Sequence, residues 1–162
     1  MLPVLLLCMG AWAQGNPYGI YPVPHSTETV RQMASVSKTV SIIAEEGIDQ
    51  YTIDRAVQIL EEHGKIGILG GDEGEQGEGS ILRLCVDGSL AAQGKYDRHN
   101  ITIKRQAETG LAEIVIVGEN TDATFYGLAS LEQMLDKNAD DIICGEIQDY
   151  ADVKNRGIIE GY

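Results

Sequence analysis

Carboxylates dominate the residues of this chain that could do chemistry. The 162 residues include 25 Asp and Glu against 12 Lys and Arg, for a formal net charge of −13. The one Asp–Asp pair is Asp140–Asp141, with Asp149 and Asp152 close behind. Neighbouring carboxylates divide into general acid and general base only where burial or a like charge drives their proton affinities apart. Asp140–Asp141 stands at a polar turn before an apolar run, where water reaches both side chains, and Asp149 and Asp152 lie near Lys154 and Arg156 as ready ion-pair partners. No catalytic residue is assigned within the chain. His25, His63 and His99 are dispersed and fit no His-Glu-x-x-His pattern, so no metal site is expected.

Cysteine chemistry is equally sparse. Cys85 and Cys144 sit in strand-like settings, Leu84-Cys85-Val86 and Ile143-Cys144-Gly145, with no histidine beside either. A reactive thiol needs an electropositive, partly exposed setting. Buried free thiols are the plainer reading, and one disulfide between the two is the alternative in an exported protein. Gly70 to Gly79 packs five glycines and four acids into ten residues, which reads as a solvated loop. Its spacing departs from a calcium-binding loop, and its carboxylates would repel a phosphate. No cofactor is called for.

The elements that must position these groups are readable from periodicity. Leu2 to Trp12 is an apolar run of signal-peptide length, too short to span a bilayer, and Ala11-Trp12-Ala13 supplies a cleavage site. Residues 1–13 are expected to be a signal peptide and the mature protein to be exported, periplasmic or secreted. Its negative charge argues against nucleic-acid partners, and no membrane association is expected after signal removal. Residues 14–24, with Pro17, Pro22 and Pro24, read as an extended lead-in to a domain over residues 25–150. Strands are expected at 39–43, 80–86, 100–105, 112–117 and 141–147. A helix over 52–63 carries Ile53, Ala56, Val57 and Leu60 on one stripe, with Thr52 as N-cap and Gly64 after its end. A second helix, capped by Thr121 or Asp122, carries Phe125, Leu128, Leu131 and Leu135. Residues 148–155 read as a linker. Strands outnumber helices, so the fold class is α+β, two layers, with a largely antiparallel sheet and both helices on one face.

Three segments carry a family resemblance. Glu78-Gly79-Ser80-Ile81-Leu82-Arg83-Leu84 is similar to the glycine-led strand of the N-terminal domain shared by glycoside hydrolase families 20 and 84. Residues 114–131 resemble that domain's signature, an apolar strand, a polar turn and a helix beginning Phe125-Tyr126-Gly127-Leu128. Asp149-Tyr150-Ala151-Asp152, followed by Arg156-Gly157-Ile158-Ile159-Glu160-Gly161-Tyr162, resembles the junction into the family 84 barrel. The resemblance implies that residues 25–150 are the non-catalytic, zincin-like accessory domain of an O-GlcNAcase- or hyaluronidase-like β-N-acetylglucosaminidase. Residues 151–162 would then be the linker and first strand of its (β/α)₈ barrel. It further implies substrate-assisted hydrolysis by two consecutive aspartates beyond Tyr162, with the barrel as intramolecular partner and the glycan reaching the protein through it. Gly161 alone is carried over as substrate-binding, a glycine whose backbone approaches the sugar. Gly127 is expected to let its helix press on the sheet or the barrel, with Phe125 in the core and Tyr126 at the domain seam. The competing reading is a stand-alone glycan-binding module, with Tyr18, Tyr21, Tyr51 and Tyr96 free to stack on sugars.

Overall fold

The computed structural model describes residues 16–70 and 79–154. The expected signal peptide, residues 71–78 of the acidic loop and the expected barrel strand with Gly161 lie outside the described residues. Seven strands and two helices follow in the order β1 (Ser26–Ser35), β2 (Thr39–Ala44), α1 (Gln50–Glu62), β3 (Ile66–Leu69), β4 (Ser80–Val86), β5 (Tyr96–Arg105), β6 (Ala112–Gly118), α2 (Thr121–Lys137) and β7 (Asp141–Ala151). These strands form one sheet, ordered β1-β7-β5-β6-β4-β2-β3. Both helices cover one face of it, α2 over β4, β5 and β6, and α1 beside α2 over β2 and β3.

The α+β class and its two layers are as expected, while the sheet is evenly mixed rather than largely antiparallel. β1–β7, β5–β7 and β5–β6 are antiparallel, and β2–β3, β2–β4 and β4–β6 are parallel. α1 is the crossover of the β2–β3 pair: it returns the chain to the starting end of β2, and a connection of that length lets the two strands run parallel. β6 takes the central place and alternates, with Ala112, Ile114 and Ile116 buried and Val115 and Val117 half-buried. β4 is buried on both faces except at Arg83 and Val86.

Several local features differ from the sequence reading for identifiable reasons. β1 was not anticipated, since STETVRQMAS has no apolar alternation; it is an exposed edge strand held by β7. β7 runs on to Ala151 and takes in the first residues of the expected linker. Asp49, not Thr52, caps α1, its carboxylate accepting the Thr52 N–H at 2.8 Å. Thr52 is instead buried in the third helical position, where its hydroxyl meets that of Thr121 at 3.1 Å. The buried stripe of α1 is therefore Thr52, Ala56, Ile59 and Leu60, because α2 as well as the sheet covers it. Asn120 caps α2 through the Ala123 N–H, leaving the Thr121 hydroxyl to accept the Asp49 N–H of the neighbouring helix. The lead-in contributes to the core: Tyr18 and Ile20 are each only 2% exposed. Asn16 holds that segment in a turn by accepting the Gly19 and Ile20 N–H groups.

Gly127 makes the contact expected of it. A Cβ there would collide with the Ile116 side chain of β6 and reach 3.4 Å from the His99 ring. Replacing an ordinary mid-helix glycine by alanine stabilises by about 1 kcal/mol. Here the added methyl overpacks the seam, so Gly127→Ala should destabilise the domain by about 1–3 kcal/mol in urea unfolding. A stabilised variant would contradict this packing.

Candidate functional site

Where the ends of β5 and β7 meet α2, the lead-in closes over a groove of about 460 Å³. Tyr21, Val23, Tyr126 and Val153 supply its apolar lining, and His25, Asp97, Asp149 and Asp152 its polar side. The sequence gives Asp149 and Asp152 to Lys154 or Arg156; the structure gives them to His25. The imidazole Nδ1 lies 2.7 Å from Asp149 Oδ1, which also accepts the His25 backbone N–H at 3.3 Å, and Nε2 lies 3.6 Å from Asp152. The ring stacks on Tyr150 at 3.7 Å, and Lys95 Nζ stands 4.4 Å from the Tyr150 centroid. His25 and Asp149 are 124 residues apart, and only the pairing of β1 with β7 brings them together. No sequence signal could have found the contact without β1.

This cluster fastens the lead-in to the end of β7, and acid–base chemistry would need more. Asp152 remains 77% exposed and Asp149 25% exposed, so neither carboxylate has the dry setting that splits an acid from a base. Asp140–Asp141 is divided between two structural tasks. Asp140 binds the ammonium of Lys65 at 2.8 Å, and Asp141 accepts the Ser35 hydroxyl at 2.8 Å. The Lys65 stem is buried and its ammonium also donates to the Val36 carbonyl, tying β3 to the turn before β7. That ammonium, by its hydrogen bond first and its charge second, holds the Asp140 carboxyl below the usual carboxylate range.

The remaining candidates also serve the fold. Cys85 and Cys144 are free and buried, on β4 and β7. Two strands separate β4 from β7, placing the thiols about 14 Å apart at the usual strand spacing, beyond disulfide reach. Burial, then the Glu45 carboxylate, pushes the Cys85 thiol up to about 12, and burial also raises Cys144, so neither is a thiolate nucleophile. His99 is buried under α2 with Nδ1 3.0 Å from the Asp97 carbonyl, and His63 bridges the Ile59 carbonyl and Asp136. Among the described residues no group of three or more His, Cys, Asp and Glu could hold a metal ion. Phe125 is not in the core. The sheet-facing positions of α2 go to Ala123, Thr124, Gly127, Leu128 and Leu131, and Phe125 stacks half-buried on Tyr51 of α1 at 5.2 Å.

Residues 17–150 match the model of glycosyl hydrolase family 20, domain 2. The chain belongs to that family. No curated protein sequence matches it. Among solved structures, CpGH84D is similar over 91% of this chain and 26% of its own, at 25% identity and a TM-score of 0.75. CpGH84B matches 82% of this chain and 22% of its own, at 21% identity and a TM-score of 0.58. The β-N-acetylhexosaminidase from Bacteroides fragilis matches 82% and 24%, at 17% identity and a TM-score of 0.57. This family 20 domain 2 thus has the accessory-domain fold of family 20 and family 84 hexosaminidases, and the chain spans about a quarter of the length of the structures it matches.

The helix pair of this domain contains a pH-dependent contact. Burial opposes protonation of His63, but the Ile59 carbonyl and the Asp136 carboxylate outweigh it, so the net direction is upward. The stability His63 contributes is complete below its unfolded value of about 6.5 and is lost as pH rises through the raised folded value. Urea midpoints from pH 5 to 9 should therefore fall more for the wild type than for His63→Gln. Parallel curves, or a steeper fall in the variant, would contradict the assignment.

Proposed function

We propose that this chain supplies the non-catalytic N-terminal domain of an exported β-N-acetylglucosaminidase. A catalytic barrel of the family 84 type would follow Lys154 and hydrolyse β-linked N-acetylglucosamine with assistance from the substrate's own acetamide. One observation carries the reading: residues 17–150 match family 20 domain 2, in a chain 91% of which superimposes on a quarter of CpGH84D. The carboxylates of the described residues support it. Asp49 and Asp87 serve as caps, Asp140 pairs with Lys65, and Asp149 accepts the backbone N–H of His25.

In this reading the domain supports the barrel, while Gly161 and the paired aspartates beyond Tyr162 meet the sugar. The exposed ring of Tyr51, stacked on Phe125, is the observation that favours a glycan-binding module instead. A turnover assay with an aryl N-acetylglucosaminide and a titration with N-acetylglucosamine oligomers separate the two. The purified 162-residue chain should show neither hydrolysis above a mock preparation nor saturable binding at micromolar concentrations. Hydrolysis would overturn the non-catalytic role, and saturable binding would favour the module.

A further inference from the structure

Between Ile20, which is buried, and Ser26, where β1 begins, residues 21–25 arch over the groove beside α2. Tyr21 and Val23 are exposed, and Pro22 and Pro24 have no backbone N–H to give. Side chains fasten the arch near both of its ends. Gln133 of α2 accepts the Tyr21 N–H at 2.7 Å, and Asp149 of β7 accepts the His25 N–H at 3.3 Å. The His25 end carries the titratable group. Its imidazole lies between two carboxylates, Nδ1 2.7 Å from Asp149 and Nε2 3.6 Å from Asp152, with the ring stacked on Tyr150. Lys95, 4.4 Å from the centroid of the same Tyr150 ring, is the cation that opposes a charge on His25, and Asp97 adds a third carboxylate to the groove.

We propose that this arch is a pH-sensitive strap, clasped while the His25 imidazole carries a proton on both nitrogens and loosened when it gives one up. The two carboxylates argue for it. A neutral imidazole has one N–H and one lone pair. With the N–H turned to Asp149, the lone pair at Nε2 faces Asp152, and a carboxylate has no hydrogen to offer it. A second proton turns that contact from repulsive to attractive and makes the Asp149 hydrogen bond charge-assisted from both sides. It also places a cation against the electron-rich face of Tyr150. Two carboxylates and that ring outweigh the Lys95 ammonium. Histidine is the side chain that changes charge between about pH 5 and 8. The His25 side chain is 36% exposed, so water and salt weaken the clasp, which keeps it releasable. Loosening it opens the groove of about 460 Å³ beneath the strap and uncovers Ile20 and Pro24, both buried while the strap is fastened.

Hydroxyl-radical footprinting of the 162-residue chain at about pH 5.5 and about pH 8.5, on either side of the histidine range, tests the strap. Ile66, exposed at the far edge of the sheet, serves as the internal reference. Labelling of Ile20 and Pro24 relative to Ile66 should rise about threefold from the lower to the higher pH, the scale of an ion pair at a partly exposed site. His25→Gln should abolish the rise, because its amide stays neutral throughout. His63→Gln, at the separate contact between α1 and α2, should keep it. Asp152→Asn leaves the Asp149 contact in place and should shrink the rise. Equal labelling of the wild type at both pH values, or the same rise in His25→Gln, would overturn the proposal. So would loss of the rise in His63→Gln, which would trace it to the helix pair, or an undiminished rise in Asp152→Asn, which would leave the clasp without its second carboxylate.

Discussion

The backbone of α2 rests directly on the central strand β6, because Gly127 has no side chain to hold it away from Ile116. That close approach sets the height of the helix layer. With α2 down on the sheet, Leu128, Leu131 and Leu135 reach the fully buried positions opposite Ile101, Ile103 and Ile116. α1 then packs beside α2, and its buried side faces both the sheet and its neighbour. The polar groups along that second contact are satisfied in pairs: Thr52 with Thr121, Arg55 with Glu132 at 2.6 Å, and His63 with Asp136 at 2.9 Å. A larger residue at position 127 would lift α2 and loosen all of them together.

The same packing determines what remains outside. Small and aliphatic residues take the sheet-facing positions of α2, so Phe125 and Tyr126 are left on its outer side beside Tyr51. On the polar side, the lead-in folds back along α2, buries Tyr18 and Ile20, and ends at the His25–Asp149 pair. Both ends of the described domain are thereby drawn to the margin of one groove. Asp49, Asp87 and Asp140 stand at element ends, where hydrogen-bond donors and, for Asp140, the Lys65 ammonium hold their carboxyls below the usual carboxylate range.

How much of this was readable in the sequence depended on range. α1, α2, β4 and β6 announce themselves through local apolar periodicity, and Gly127 through the cost of a glycine inside a helix. The caps lay within three residues of the expected positions but fell on Asp49 and Asn120. The neighbouring threonines compete for the same role locally and are taken up by a contact between the two helices, which periodicity does not contain. β1 was invisible because a polar edge strand owes its existence to β7, more than a hundred residues away. The His25 cluster depends on that pairing and was hidden with it; the parallel pairs β2–β4 and β4–β6 join strands that other elements separate in the chain, a long-range outcome that local periodicity does not contain.

The central claim is that this fold exists to carry a catalytic domain, and the coding sequence immediately after the Tyr162 codon tests it most directly. The account predicts an uninterrupted frame that runs on from Tyr162 for about 250 residues as a (β/α)₈ barrel with two adjacent aspartates near the end of one of its strands. A natural stop codon directly after Tyr162, verified in the genomic sequence, would contradict it.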